Sequence, residues 1–110
     1  MRLMAAAIPG DDSIGDDGER FVFSEGDSVA ELTYLLQGDE LILLHTSVPP
    51  RLEGQGIGGR LVSAAVDRAA REGLTIVPWC AFARKWLRGH PEVANTVTIV
   101  WATDTESTAT

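Results

Sequence analysis

Four glycines fall within six residues of the stretch Glu53-Gly54-Gln55-Gly56-Ile57-Gly58-Gly59-Arg60, directly ahead of an amphipathic pattern. Glycine lets other groups approach the backbone closely, and a helix start carries N–H groups with no intrahelical partner. The combination suits an anion, above all a phosphate, and Arg60 is placed to add a charge-assisted contact. A glycine-rich helix start with no ligand is the plainer alternative, at an entropic cost with no return. Two reactive residues flank this stretch, His45 and Cys80. Neutral imidazole near pH 7 can take a proton, and a thiol at a helix start can serve as nucleophile or proton donor. Each also has a structural reading: His45 as a hydrogen-bonded core histidine, Cys80 as a small buried hydrophobe. His90, before Pro91, reads as a cap or surface residue rather than an acid or base.

Other phosphate-binding patterns fit less well. Gly54-x-Gly56-x-x-Gly59 matches the dinucleotide fingerprint in form. That fingerprint follows the first strand of a βαβ unit and needs an acid about 20 residues on, for the ribose. Here three strand-like runs precede the loop, and Val77 to Phe82 contains no Asp or Glu. A P-loop needs Gly-Lys-Ser/Thr, whereas this chain has Gly59-Arg60-Leu61.

The elements that must hold these residues can be read from periodicity. Arg20 to Phe23 is short, aromatic and β-branched, and Ala30 to Leu36 alternates as a half-buried strand does. A hairpin turn at Gln37-Gly38-Asp39-Glu40 leads into Leu41 to Val48, apolar enough for a central strand and stopped by Pro49-Pro50. After the glycines, Ile57, Leu61, Ala65 and Ala69 recur every fourth residue beside Val62 and Val66, which predicts a helix ending at Gly73. Leu74 to Val77 reads as a strand, Ala81 to Arg88 as a second helix and Thr96 to Trp101 as a last strand. The fold class is therefore mixed α/β (α+β), a mostly antiparallel sheet of about four to five strands with two main helices.

Residues 1–18 are acidic and rich in turn formers and are expected to be flexible, residues 19–102 to form one domain, and residues 103–110 to be a disordered tail. The chain's 110 residues, 45% apolar, suit a single core. A net charge of −7 argues against nucleic acid as a partner, although amides can bind phosphate inside an acidic protein. The single cysteine excludes an internal disulfide and a multi-cysteine zinc cage, and no metal site is expected. With no apolar run long enough to span a membrane and a poor match to a secretory leader, a cytoplasmic protein with no membrane partner is expected. It is expected to be a monomer or a weak dimer.

Glu53-Gly54-Gln55-Gly56-Ile57-Gly58 resembles the pyrophosphate loop of the GNAT acetyltransferases, Gln/Arg-x-x-Gly-x-Gly/Ala, with Glu53 in place of the usual Gln or Arg. The resemblance sharpens with His45-Thr46-Ser47-Val48-Pro49-Pro50, Val77-Pro78-Trp79-Cys80-Ala81-Phe82 and His90-Pro91-Glu92. Over residues 20–95 the chain is similar to the small single-domain GNAT-like N-acetyltransferases of the YidJ and NATD1 type, with Trp79 where Leu is common. The resemblance implies acetyl-CoA or coenzyme A as cofactor, held by Thr46, Ser47, Val48, Gly54, Gln55, Gly56, Ile57, Gly58, Gly59, Arg60 and Phe82. It makes His45 and Cys80 the catalytic pair and an unidentified small-molecule or protein amine the acetyl acceptor. A non-catalytic CoA-binding or protein-interaction module is the alternative.

Overall fold

The structure, a computed structural model, describes residues 13–101. It contains a six-stranded sheet in the order β1-β2-β3-β4-β5-β6: β1 (Ile14–Asp16), β2 (Arg20–Glu25), β3 (Ser28–Gln37), β4 (Glu40–Ser47), β5 (Thr75–Pro78) and β6 (Thr98–Ile99). Neighbours from β1 to β4 run antiparallel, and β4, β5 and β6 run parallel. Helix α1 (Ile57–Glu72) crosses from β4 to β5. Helix α2 (Ala81–Gly89) and a single turn α3 (Pro91–Ala94) connect β5 to β6. Among the described residues no helix is long and apolar enough to cross a membrane.

The period-2 and period-3.6 patterns meet in one core. Phe21, Ala30, Leu32, Tyr34, Leu41, Leu43 and Ile76 face the helices from the sheet, and Ile57, Leu61, Val62, Ala65, Val66 and Ala69 of α1 lie against them. Fully burying an aliphatic side chain of this size contributes about 1.5–3 kcal/mol, which is why this stripe holds α1 on the sheet. Gly73 ends the helix as expected, at φ 71° with its N–H on the Ala69 carbonyl.

Two expectations need correction. The sheet has six strands because residues 14–16, expected to be flexible, form β1 against β2, with Ile14 opposite Phe23. The one acid among them is tied down: Asp16 accepts from the Tyr34 hydroxyl and pairs with Arg68 Nη1 at 2.9 Å. The final strand covers only Thr98–Ile99, not Thr96 to Trp101. Residues 1–12 and 102–110, which include the expected disordered tail, lie outside the described residues.

The β1–α1 tie has a pH signature. Burial, then the hydrogen bond to Asp16, pushes the Tyr34 hydroxyl up to about 12, while Arg68 donates to it at 2.8 Å. The folded value lies above the unfolded one, so this stabilisation is intact below about pH 10 and is lost as pH rises toward 12. Urea midpoints measured across that interval should fall more steeply for the wild type than for Tyr34→Phe, which has no proton to lose there. Parallel profiles would show that Tyr34 does not carry the linkage.

Candidate functional site

The sheet opens into a fork beside the glycine loop. Strands β4 and β5 pair from Glu40↔Thr75 to Leu43↔Pro78 and no further. There the Leu43 carbonyl accepts both the Trp79 and the Cys80 N–H, each at 3.0 Å, and the chain turns away into α2. Arg84 fastens this turn by donating to the carbonyls of Pro78 at 3.3 Å and Trp79 at 2.7 Å. Beyond Leu43, β4 pairs only with β3, so its other edge, through Ser47, has no strand partner among the described residues.

A bulge at the same place resets which side chains face the helices. Tyr34 pairs with Leu43 and Thr33 with His45, leaving Leu44 as an extra residue on β4. Before it, Leu41 and Leu43 point into the core; after it, Thr46 does, opposite fully buried Leu32. Thr46 Oγ1 lies 3.2 Å from Cys80 Sγ. His45 is exposed and shares the opposite sheet face with Thr33. The structure thus joins Cys80 to Thr46 and sets His45 on the far side of the strand.

The loop after β4 builds an anion-ready helix start. Pro49-Pro50 ends the strand, a 3-10 turn covers Pro50–Leu52, and Gly54 and Gly56 adopt φ 82° and 75°. Those left-handed angles are where only glycine sits without strain. Gly56 is the N-cap of α1 with no side-chain cap, and the first helical N–H to find a carbonyl is that of Arg60, on Gly56 at 3.1 Å. The N–H groups of Ile57, Gly58 and Gly59 remain as donors for a ligand.

Gly58 and Gly59 serve a different need. A Cβ at Gly58 would lie 2.7 Å from Phe82 Cζ, and one at Gly59 would lie 2.3 Å from Trp86 Nε1. These glycines let the aromatic face of α2 rest directly on the first turn of α1.

Fork, loop and aromatic face enclose a cleft of about 490 Å³. Thr46 and Val48 line it from the strand side, Leu52, Glu53, Gly54, Gly56, Ile57, Gly58 and Gly59 from the loop, and Phe82 and Trp86 from α2. Three of the expected cofactor residues do not line it. Gln55 donates its amide to the Arg51 carbonyl at 3.3 Å, Ser47 is exposed, and Arg60 stacks 4.9 Å over Phe23 while donating to Ser13. Cys80, 7% exposed, is the N-cap of α2 and lies behind Thr46, outside the lining. Leu52 and Trp86 belong to the lining and went unrecognised in the sequence reading. Trp86 follows Phe82 by one helical turn, which is the signal the sequence carries for it.

The fork thus frees one edge of a central strand beside an uncapped helix N-terminus. Residues 20–96 match the family model described as GCN5-related N-acetyl-transferase. The chain belongs to that family. A GCN5-like protein from Staphylococcus aureus, solved in solution by NMR, is 28% identical and superposes with a TM-score of 0.63 over 79% of this chain and 88% of the other. No curated protein matches. The acetyltransferase fold expected from the motifs is thus present, and acetyl-CoA is the ligand expected for a member of the family.

Proposed function

We propose that the protein is an acetyl-CoA-dependent N-acetyltransferase acting on an amine of a small molecule or a protein side chain. The observation that carries this reading is the continuous cleft from the unpaired edge of β4 to the open N-terminus of α1. An extended amide-bearing arm can pair with the main chain of Thr46, Ser47 and Val48 as an added strand does. A diphosphate at its end suits the N–H groups of Ile57, Gly58 and Gly59. Acetyl-CoA supplies the acetyl group as a thioester, whose C–S bond breaks as the C–N bond to the amine forms.

The chain's own groups divide the remaining work. Main-chain N–H groups on the unpaired edge of β4 would polarise the carbonyl under attack. The Thr46–Cys80 pair, at 3.2 Å, is the protein's source of a proton for the departing sulfur, or presents Cys80 as a transient acetyl carrier. His45 takes the amine proton if the acceptor reaches the fork around the edge of β4. The motifs His45 to Pro50 and Val77 to Phe82 support the narrower assignment to the small single-domain YidJ and NATD1 type. A coenzyme A-binding module without turnover is a second reading, favoured by one observation: His45 faces away from the cleft.

The experiment is incubation with labelled acetyl-CoA, with intact mass and free thiol followed over a panel of amines. Amine-dependent thiol release supports the transferase. A stable acetyl adduct on the wild type and none on Cys80→Ala supports the covalent route. Binding without release to any amine would leave the module reading. A ligand at 100 times its dissociation constant adds about 2.7 kcal/mol of stability, so absence of a thermal shift would count against both readings.

A further inference from the structure

A second cavity, of about 310 Å³, lies on α2 beside the cleft and is lined by Phe82, Lys85, Trp86 and His90. It shares Phe82 and Trp86 with the cleft, so one aromatic wall serves both. The wall is built in advance. His90 stacks on Trp86 with ring centroids 4.0 Å apart and planes 15° from parallel. Its Nδ1 lies 2.8 Å from the Trp86 carbonyl, which can only accept, so Nδ1 donates the proton and holds the ring against the indole. The other edge of Trp86 is pinned on Gly59.

Lys85 gives the cavity a charge. It is the chain's single lysine, in a protein of net charge −7, and it is exposed. Among the described residues it has no acid or hydrogen-bond partner, whereas Arg20, Arg68 and Arg71 all pair with carboxylates. An aromatic wall in which Trp86 is held in place, with one uncommitted cation beside it, is complementary to a flat heteroaromatic ring that carries a phosphate.

We propose that this cavity is the subsite for the adenine ring and 3′-phosphate of coenzyme A, with Trp86 and Phe82 contacting the ring and Lys85 the 3′-phosphate. The inference rests on the coenzyme A reading above and extends it from the diphosphate, at the start of α1, along α2. Trp86, touching Gly59 at one edge and His90 on one face, is the bridge between the two subsites. His90 acts as a positioning residue that holds the indole, not as an acid or base.

Calorimetric titration with coenzyme A, dephospho-coenzyme A and 4′-phosphopantetheine, on the wild type and on Lys85→Gln and His90→Ala, tests this. The wild type should bind coenzyme A about 5- to 10-fold more tightly than dephospho-coenzyme A, a preference that depends on salt. In Lys85→Gln the ratio should fall to near one, with 4′-phosphopantetheine affinity unchanged. His90→Ala should weaken both nucleotide-bearing ligands and spare 4′-phosphopantetheine. Equal wild-type affinity for the two nucleotide ligands, or a ratio that survives Lys85→Gln, would overturn the subsite while leaving coenzyme A binding intact. No binding of any of the three would overturn the coenzyme A reading itself.

Discussion

Gly56→Asp should weaken coenzyme A binding by about 10- to 100-fold, while Gly56→Asn should weaken it by less than about 3-fold. Gly56 holds φ 75° and ψ 15° at the N-cap of α1, and a Cβ built there meets nothing within 4 Å. Asn and Asp are the residues that best tolerate this left-handed conformation, so both variants should fold. They are nearly the same shape and differ in charge. A carboxylate within about 5 Å of a diphosphate costs several kcal/mol at an effective dielectric of about 20, reduced by screening at the open rim of the cleft. Titration of both variants at two salt concentrations gives the comparison. Equal affinities would remove the α1 N-terminus as the anion site.

Gly59→Ala should lower stability by about 1–3 kcal/mol, and Gly58→Ala by clearly less. Both new methyl groups meet an aromatic ring, at 2.3 Å from Trp86 and 2.7 Å from Phe82. The difference lies in what each ring can do about it. Phe82 is 43% exposed and can swing toward solvent. Trp86 is held by the stacked His90 on one face and the packed α2 behind it, so α2 itself must shift. Urea unfolding separates the two variants. Equal losses would show that Trp86 is as free to move as Phe82. Because Trp86 also lines the cleft, Gly59→Ala should raise the coenzyme A dissociation constant as well.

Much of the scaffold was legible because its signals are local. The four-residue repeat from Ile57 to Ala69, Gly38 in its turn, Gly73 as a cap and the stop at Pro49-Pro50 depend on neighbours in the chain, and each element stands where its pattern points. Strand β1 was missed because Ile14–Asp16 is short and acidic, and its order comes from Tyr34 and Arg68, 18 and 52 residues away. The four loop glycines look alike in sequence but divide in space. Gly54 and Gly56 supply backbone angles, while Gly58 and Gly59 make room for Phe82 and Trp86, a need set by residues more than 20 positions on.

The glycine loop and its place between a central strand and a helix were determined by the sequence alone. They follow from strand period, proline stops and helix-start chemistry, all properties of contiguous residues. Which reactive side chain stands beside Thr46 at the cleft wall was decided only by the tertiary structure. Strict alternation from Leu41 and Leu43 would aim His45 at the helices, but the extra residue at Leu44 shifts the phase by one and presents Thr46 to Cys80 instead. A bulge of this kind has no residue signature on its own strand. It exists because β3 pairs Tyr34 with Leu43 and Thr33 with His45, a registration made between strands and absent from either one.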